Sequence, residues 1–325
     1  MTTARIPIAS ALVALAAFAS VPAIAQYPEK PIRLVIPFTA GGGSDALART
    51  LQGVIEKNKL LSKPLVVVNV DAAGGAVAMR QVKDAPADGY TFLQMHQGMF
   101  AFHATGRTDF GADGYEPVIQ TTQACVYLAV PSSSPYKTLK DLVEAGKKDP
   151  GKLKYADGVG GLTHFPMAVL QAKTGARFGI VQTGSTAKRF ASLKGGHTDM
   201  AMMSTGWLKR GGDALRGIAA FGTERIAGAP DMPTVKEAIG HEITSCITRR
   251  FWAPKGTPAD RIKVFADAIE KAVDTPELDA FHKKSSQDKV VKRGPALAEA
   301  IAKDVAGYAE GAPVVAQDIK GTKSN

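Results

Sequence analysis

Residues 32–47 read IRLVIPFTAGGGSDAL, and this stretch decides the fold that the sequence predicts. Its first five residues are apolar apart from Arg33 and include three β-branched side chains, a pattern typical of a buried strand. Three glycines follow at positions 41–43, and apolar residues recur at helical spacing from Leu47 onwards. Ser44 is well placed to cap this helix. The stretch therefore predicts a strand, a glycine loop and a helix in succession.

The same alternation continues through the chain of 325 residues, a length that suggests two domains. Two long extended runs, 118–130 and 243–253, each contain one of the two cysteines. Helical patterns separate most of the shorter strands, so the sequence predicts the α/β class with mainly parallel sheets. Those shorter predicted strands are residues 65–70, 90–95, 153–156, 178–182, 199–203 and 215–221.

Two glycine loops, at residues 39–45 and 157–164, run into predicted helices, where ligands bind in parallel α/β sheets. Glycines let backbone N–H groups approach a ligand, and a helix N-terminus adds a partial positive charge. Such a loop binds anions without a charged side chain, and Ser44 would add a hydroxyl to a carboxylate. The alternative is an ordinary strand-to-helix turn that needs glycine for its geometry.

The common cofactor motifs are missing from both loops. Residues 41–45 lack the Gly-Lys-Ser/Thr ending of a P-loop, and residues 158–160 lack the third glycine of a dinucleotide fingerprint. The six histidines show no metal-binding spacing, so no cofactor or metal is predicted. Residues 42–46 approximate the G-x-S-x-G motif, so an exported serine hydrolase with Ser44 as its nucleophile is the alternative to a binding protein.

The N-terminus has the features of a secretory signal peptide over residues 1–25. Arg5 precedes an apolar run at 6–19, and an Ala-Ile-Ala sequence ends at Ala25. The run is shorter than the ~20 residues of a membrane span, and an uncleaved anchor is the alternative. We therefore expect export, cleavage after Ala25 and a periplasmic protein.

The chain is basic, with 40 Lys and Arg against 30 Asp and Glu and a formal net charge of +10. This balance favours anionic ligands. The basic residues are scattered, and the longest cluster, 289–293, is short, so nucleic-acid binding is not predicted.

Several polar residues follow predicted strands and are candidates for ligand contact. His96 and Gln97 come directly after the strand at 90–95, and His164 opens the helix after the second glycine loop. An ordinary loop at the first position and a structural histidine at the second are the alternatives.

The two cysteines, Cys125 and Cys246, lie in the two long extended runs. If these runs pass side by side between two domains, a disulfide would tie them at the hinge. Two free buried thiols are the alternative.

Short motifs in a fixed order cover nearly the whole chain after residue 26. They are YPEKPIRLVIPFTAGGGSD at 27–45, PADGYT at 86–91, DPGKL at 149–153, DMPT at 231–234 and APKGTP at 253–258. In this order the sequence resembles the Bug family, the periplasmic solute-binding receptors associated with tripartite tricarboxylate transporters.

The resemblance implies a periplasmic-binding-protein fold with two α/β domains that close on a ligand like a hinge. The domains would comprise residues 26–125 plus 247–325 and residues 126–246. The implied function is binding of a small organic carboxylate, a dicarboxylate or an aromatic acid, for uptake or sensing and without catalysis. The implied partner is a membrane transporter complex or a sensor protein, and the implied state is a monomer.

The resemblance also implies which residues contact the ligand. Gly161 stands where the family commonly has a hydroxyl residue, and Thr163 could substitute for it. Arg249 and Arg250 either point into the cleft, where a guanidinium suits a carboxylate, or form an exposed pair on a crossing strand. The implied contacts are Thr39, Ala40, Gly41, Gly42, Gly43, Ser44, Asp45, His96, Gln97, Gly160, Gly161, Thr163, His164, Ser185, Thr186 and Ala187.

Overall fold

Strands and helices alternate along the chain in this computed structural model, which describes residues 27–38, 40–183 and 186–323. The predicted signal peptide, Thr39 and Ser185 lie outside the described residues. Among the described helices, none is long and apolar enough to cross a membrane. The strands are β1 (Ile32–Ile36), β2 (Leu65–Asn69), β3 (Thr91–Met95), β4 (Tyr115–Pro131), β5 (Lys154–Asp157), β6 (Gly179–Gln182), β7 (Met200–Ser204), β8 (Leu215–Ala220), β9 (Cys246–Pro254) and β10 (Asp288–Lys292). The helices are α1 (Gly43–Lys57), α2 (Ala76–Lys83), α3 (Gly98–Ala104), α4 (Leu139–Lys148), α5 (His164–Thr174), α6 (Thr186–Lys194), α7 (Trp207–Arg210), α8 (Val235–Ile239), α9 (Ala259–Val273), α10 (Pro276–Ser285) and α11 (Gly294–Lys323).

The strands join in the order β2-β1-β3-β9-β4-β7-β5-β6, with β8 and β10 paired to β4 off this path. β1 is parallel to β2 and β3, and β5 is parallel to β6 and β7. The long strands β4 and β9 are antiparallel to their neighbours and connect the two parallel parts. The predicted α/β class is confirmed.

Two separate hydrophobic cores lie on either side of the long strands. We call residues 27–125 and 247–293 the first unit and residues 126–246 the second unit. Phe92 and Phe265 stack at 3.8 Å in the core of the first unit. Leu128 is fully buried in the core of the second unit. The predicted division into domains remains our proposal, and the two cores support it.

The crossing between the units is closed by a disulfide. β4 and β9 pair from Tyr115 opposite Pro254 to Cys125 opposite Cys246. The two sulfur atoms are bonded, 2.00 Å apart. Directly after Cys125, β4 leaves β9 and pairs with β7 and β8 of the second unit. The disulfide therefore lies where the chain passes from one unit to the other.

The last helix, α11, packs on both units. Near its start, Asp304 forms an ion pair with Arg250 of β9 at 2.7 Å. Further along, Val315 is buried against Phe165 and Ala168 of α5. The second half of α11 thus covers the second unit, although the sequence assigns residues 247–325 to the first domain. Local patterns predict a helix there but do not indicate which unit its apolar face meets.

We expect replacement of both cysteines by alanine to lower the free energy of unfolding by about 2–5 kcal/mol. The disulfide closes a loop of 121 residues, and its loss gives that loop freedom in the unfolded chain. Urea unfolding of the oxidised wild type and the double variant measures the difference. Equal midpoints and slopes for the two proteins would contradict the expectation.

Candidate functional site

Three segments meet at the carboxyl edge of the sheet in the first unit. β1 runs parallel to β3, so the loop after β1 lies beside the residues after β3. β3 runs antiparallel to β9 with Met95 opposite Arg250, which brings His96 to the level of Arg249. The first glycine loop, His96 and Arg249 therefore share one edge.

The first glycine loop ends at the N-terminus of α1, a helix of 15 residues. Gly41 has φ +80°, a left-handed conformation that favours glycine. The expectation that Ser44 caps the helix is wrong, because Gly42 occupies the N-cap position in an extended conformation and makes no side-chain cap. Ser44 lies instead in the first turn, where it is 5% exposed. Ala40 and Gly43 flank this glycine pair at the same edge.

The side chain of Asp45 binds the backbone of the first glycine loop. Its carboxylate accepts a hydrogen bond from the Gly41 N–H at 2.8 Å and from Arg49 Nε at 3.0 Å. Burial works to raise the pKa of Asp45, but these two donors outweigh it and hold the pKa below its usual range. The carboxylate is therefore charged and already paired, so it shapes the loop.

Arg249 places a positive charge against this loop. A Cβ added to Gly43 would lie 3.3 Å from Arg249 Nη2, so the absence of a side chain there makes room for the guanidinium. Among the described residues, Nε of Arg249 is buried without a hydrogen-bond partner and no carboxylate forms an ion pair with the group. Burial lowers the pKa of Arg249 to about 10, so the group remains charged at neutral pH.

His96 stands beside Arg249 as a neutral side chain. Its ring stacks on Phe38 at 4.9 Å, and its Nδ1 accepts a hydrogen bond from the Gly98 N–H at 2.9 Å. Burial, followed by the charge of Arg249, lowers the pKa of His96 to about 3. Because Nδ1 is an acceptor, the single ring proton is on Nε2.

Gln97, also a predicted ligand contact, is hydrogen-bonded to the backbone of β9. Its amide donates to the Cys246 carbonyl at 2.5 Å and accepts from the Thr248 N–H at 3.0 Å. Gln97 also lines a partly open cavity of about 240 Å³ between α5, α11 and residues 242–246. The two glycine loops contribute only Leu162 to the walls of this cavity, so it is separate from the edge that holds Arg249.

The second glycine loop is organised around a buried carboxylate, Asp157. Asp157 accepts hydrogen bonds from Thr163 Oγ1 at 2.7 Å and from the Gly158 N–H at 2.7 Å, and also from the Tyr155 hydroxyl. Arg189 lies 3.5 Å from Asp157 and donates to Thr163 Oγ1 at 3.0 Å. The Thr163 hydroxyl, a predicted ligand contact, is therefore engaged on both sides within the protein.

His164 is likewise engaged. Its Nδ1 accepts from the Gly160 N–H at 3.0 Å, its Nε2 lies 2.8 Å from an Asp318 carboxylate oxygen, and the side chain is 1% exposed. A Cβ added to Gly160 would lie 3.4 Å from Thr105, so this loop reaches the first unit. His164 thus links the second loop to α11.

Gly161 has no room for the hydroxyl residue that the family commonly places there. Its N–H donates to the Gly158 carbonyl at 2.8 Å, and an added Cβ would lie 2.9 Å from the same oxygen. Thr186 and Ala187 begin α6, close to this loop, because Thr183 donates its N–H to the Asp157 carbonyl at 2.8 Å.

The two glycine loops therefore differ in how far their polar and charged groups are paired. The first combines exposed glycine backbone with the unpaired charge of Arg249. The polar groups of the second are paired with Asp157, with Arg189 of α6 and with Asp318 of α11. Sequence patterns did not indicate these last three residues. The only sequence signal was the position of Asp157 at the start of the second glycine loop.

We expect Asp157→Asn to lower the free energy of unfolding by about 3–5 kcal/mol, because it leaves the buried Arg189 without its counter-charge. Chemical denaturation measures this loss. Asp213→Asn is the matched control, since Asp213 is exposed and the change should stay within about 0.5 kcal/mol. Equal losses in both variants would contradict the role of Asp157.

We expect His96 to make stability depend on pH. The folded state keeps His96 unprotonated down to pH about 3, whereas the unfolded chain protonates it near 6.5. Its contribution is therefore complete above pH 6.5 and is lost as the pH falls towards 3. Between pH 7.5 and 4.5, the unfolding free energy of the wild type should fall by about 2–3 kcal/mol more than that of His96→Asn. Parallel pH profiles of the two proteins would show that His96 titrates normally.

Known proteins are similar to this chain over most of its length. A family model described as the tripartite tricarboxylate transporter family receptor matches residues 47–309. A UPF0065 protein of Cupriavidus necator, from the gbd 5′ region, is 32% identical over 282 residues, or 84% of each chain.

Solved structures are similar over the same extent. A crystal structure of a TctC solute-binding protein from Polaromonas, without ligand, has 27% identity and a TM-score of 0.75, covering 88% of this chain and 98% of that one. MatC from Rhodopseudomonas palustris with bound malate has 22% identity and a TM-score of 0.71, covering 88% and 100% of the two chains, and shows the shared fold alone. Together with the family model, these findings confirm the resemblance in the sequence: the chain belongs to the receptor family of the tripartite tricarboxylate transporters, which are solute-binding proteins.

Proposed function

We propose that the protein is a periplasmic receptor that binds a small organic carboxylate between its two units. The receptor would pass the bound acid to a tripartite tricarboxylate transporter or report it to a sensor protein. The observation that carries this proposal is the positive, unfilled edge of the first unit. There the glycine loop opens α1 and the Arg249 guanidinium lies 3.3 Å from the Cβ position of Gly43.

The chemistry of this edge suits a carboxylate. The first N–H groups of α1 have no partner within the helix, and the helix dipole favours negative charge there. Glycines at 41–43 let a ligand approach the backbone closely. Asp45 does not repel the ligand, since its own charge is compensated by Arg49 at 3.0 Å.

A dicarboxylate or an aromatic acid is the ligand class that we favour. The malate in MatC is a dicarboxylate bound by a protein of the same fold, which supports this class for the present chain. The stacked rings of Phe38 and His96 offer an apolar surface at the same edge for a flat acid.

Nothing in the described residues favours the serine hydrolase. Ser44 lies in the first turn of α1, and no hydrogen bond joins it to a histidine in the described part of the chain. The nearest candidate base at this edge, His96, is stabilised in its neutral form, but its Nδ1 is occupied by the Gly98 N–H. A nucleophile needs a base within hydrogen-bond reach.

The test is binding of acids to the exported protein, purified from the periplasm. Its melting temperature is recorded with malate, succinate, glutarate, adipate, benzoate and phthalate, and titration calorimetry follows for each acid that shifts it. An acid at 100 times its Kd should stabilise the protein by about 2.7 kcal/mol. The amides of the same acids are the matched controls and should give smaller shifts.

Two results would count against this function. One is the absence of any shift with the acids, provided that mass spectrometry of the denatured protein finds no retained ligand. The other is turnover of p-nitrophenyl esters that disappears in Ser44→Ala, which would favour the hydrolase. Recovery of the protein with an uncleaved N-terminus in the membrane fraction would contradict the cleavage expected after Ala25.

A further inference from the structure

We infer that Arg249 is the residue that binds the carboxylate of the ligand and makes this receptor select acids over their neutral analogues. This inference rests on the proposed function and deepens it, because it assigns the charge recognition to one side chain on the crossing strand β9.

The pairing of the other buried arginines singles out Arg249. Arg250 is 2% exposed, forms an ion pair with Asp304 at 2.7 Å and donates to Gln120 at 3.0 Å. Arg189 is 9% exposed and is held by Asp157 and Thr163. Arg249 is half-buried, more exposed than either of them, and has no such partner among the described residues.

An unpaired, partly desolvated guanidinium destabilises a protein unless an anion compensates it. Burial here is sufficient to lower the pKa of Arg249 to about 10. The neighbours of the guanidinium, Gly43 in the first turn of α1 and His96 at the end of β3, indicate where an anion would compensate its charge. An anion at that place would also meet the N–H groups of the helix terminus.

The neighbouring groups fit a carboxylate in particular. A guanidinium presents a planar fork that can donate two parallel hydrogen bonds to the two carboxylate oxygens. His96 carries its proton on Nε2, which makes no hydrogen bond within the described residues, so it adds a neutral donor at the same edge. The site would thus have a single cation and several neutral donors.

Arg249 also occupies a position that couples binding to the hinge. It lies three residues beyond Cys246, on the strand that joins the two units. A ligand held by Arg249 and by the α1 terminus is therefore fixed to the first unit next to the crossing, before the second unit closes on it.

The experiment compares Arg249→Gln with Arg33→Gln in the full exported chain. Arg33 is exposed on β1, so its replacement removes the same charge away from the site. Calorimetry gives the Kd for the acid that the wild type binds most tightly among malate, succinate, glutarate, adipate, benzoate and phthalate, and for its amide. Arg249→Lys, which keeps the charge but loses the fork, is the conservative variant.

We expect Arg249→Gln to weaken binding of the acid about 10- to 100-fold, while the amide binds wild type and variant equally. The preference for acid over amide should then collapse in Arg249→Gln, stay intact in Arg33→Gln and be intermediate in Arg249→Lys. The ligand-free Arg249→Gln protein should melt at or above the wild-type temperature, because an uncompensated charge has been removed.

Three outcomes would overturn the inference. Undiminished preference for the acid in Arg249→Gln would place charge recognition elsewhere. Equal loss of acid and amide binding, together with a lower melting temperature of the ligand-free variant, would make Arg249 a structural residue. Sulfate or phosphate binding as tightly as the acid and losing the same factor in the variant would make the ligand an inorganic anion. If the wild type binds none of the acids, the proposed function fails as well. This result is seen in the wild type alone, so it differs from the three results above, which appear only in the variants or with inorganic anions.

Discussion

The antiparallel pairing of β4 with β9 is the constraint on which the rest of the molecule depends. The two strands run side by side from Tyr115 opposite Pro254 to the disulfide between Cys125 and Cys246. Every parallel strand of the first unit is connected to this pair on one side and every parallel strand of the second unit on the other. Because the pair is fixed in register and bonded at its end, it sets the position at which the two carboxyl edges can approach each other. Arg249, Gln97 and Arg250 all take their places from it.

The two glycine loops look alike in sequence but differ in physical chemistry. In the second unit's loop, the Thr163 hydroxyl is hydrogen-bonded to Asp157 and accepts from Arg189. Asp318 of α11 binds His164 at the end of the same loop. In the described part of the first loop, Asp45 accepts from the Gly41 N–H. The two loops therefore differ: one lies beside the unpaired charge of Arg249 and the other is hydrogen-bonded around a buried carboxylate, so under the proposed function the first would hold the charge of the ligand.

Local sequence was sufficient for the fold, whereas the location of the ligand site remains our proposal. The strand, glycine loop and helix at residues 32–47 and the two cysteines in long extended runs were readable because each depends on neighbouring residues. The cap of α1 was mistaken because glycine and serine both suit an N-cap, and the helix begins two residues earlier than the pattern predicted. The ion pairs of Asp157 with Arg189 and of His164 with Asp318 could not be predicted, because pairing across more than 30 residues leaves no periodic pattern in the chain.

The order in which the units lie along the chain has a consequence for a chain that folds as it emerges from its N-terminus. The second unit is continuous in sequence, residues 126–246, whereas the first unit lacks its strand β9 and helices α9 and α10 until about residue 285 has emerged. The strands β1, β2 and β3 can pair with one another early, but the edge of β3 that pairs with β9 stays open until residue 254 is available. The helix α11 contacts both units, so its complete packing surface exists only when both have folded.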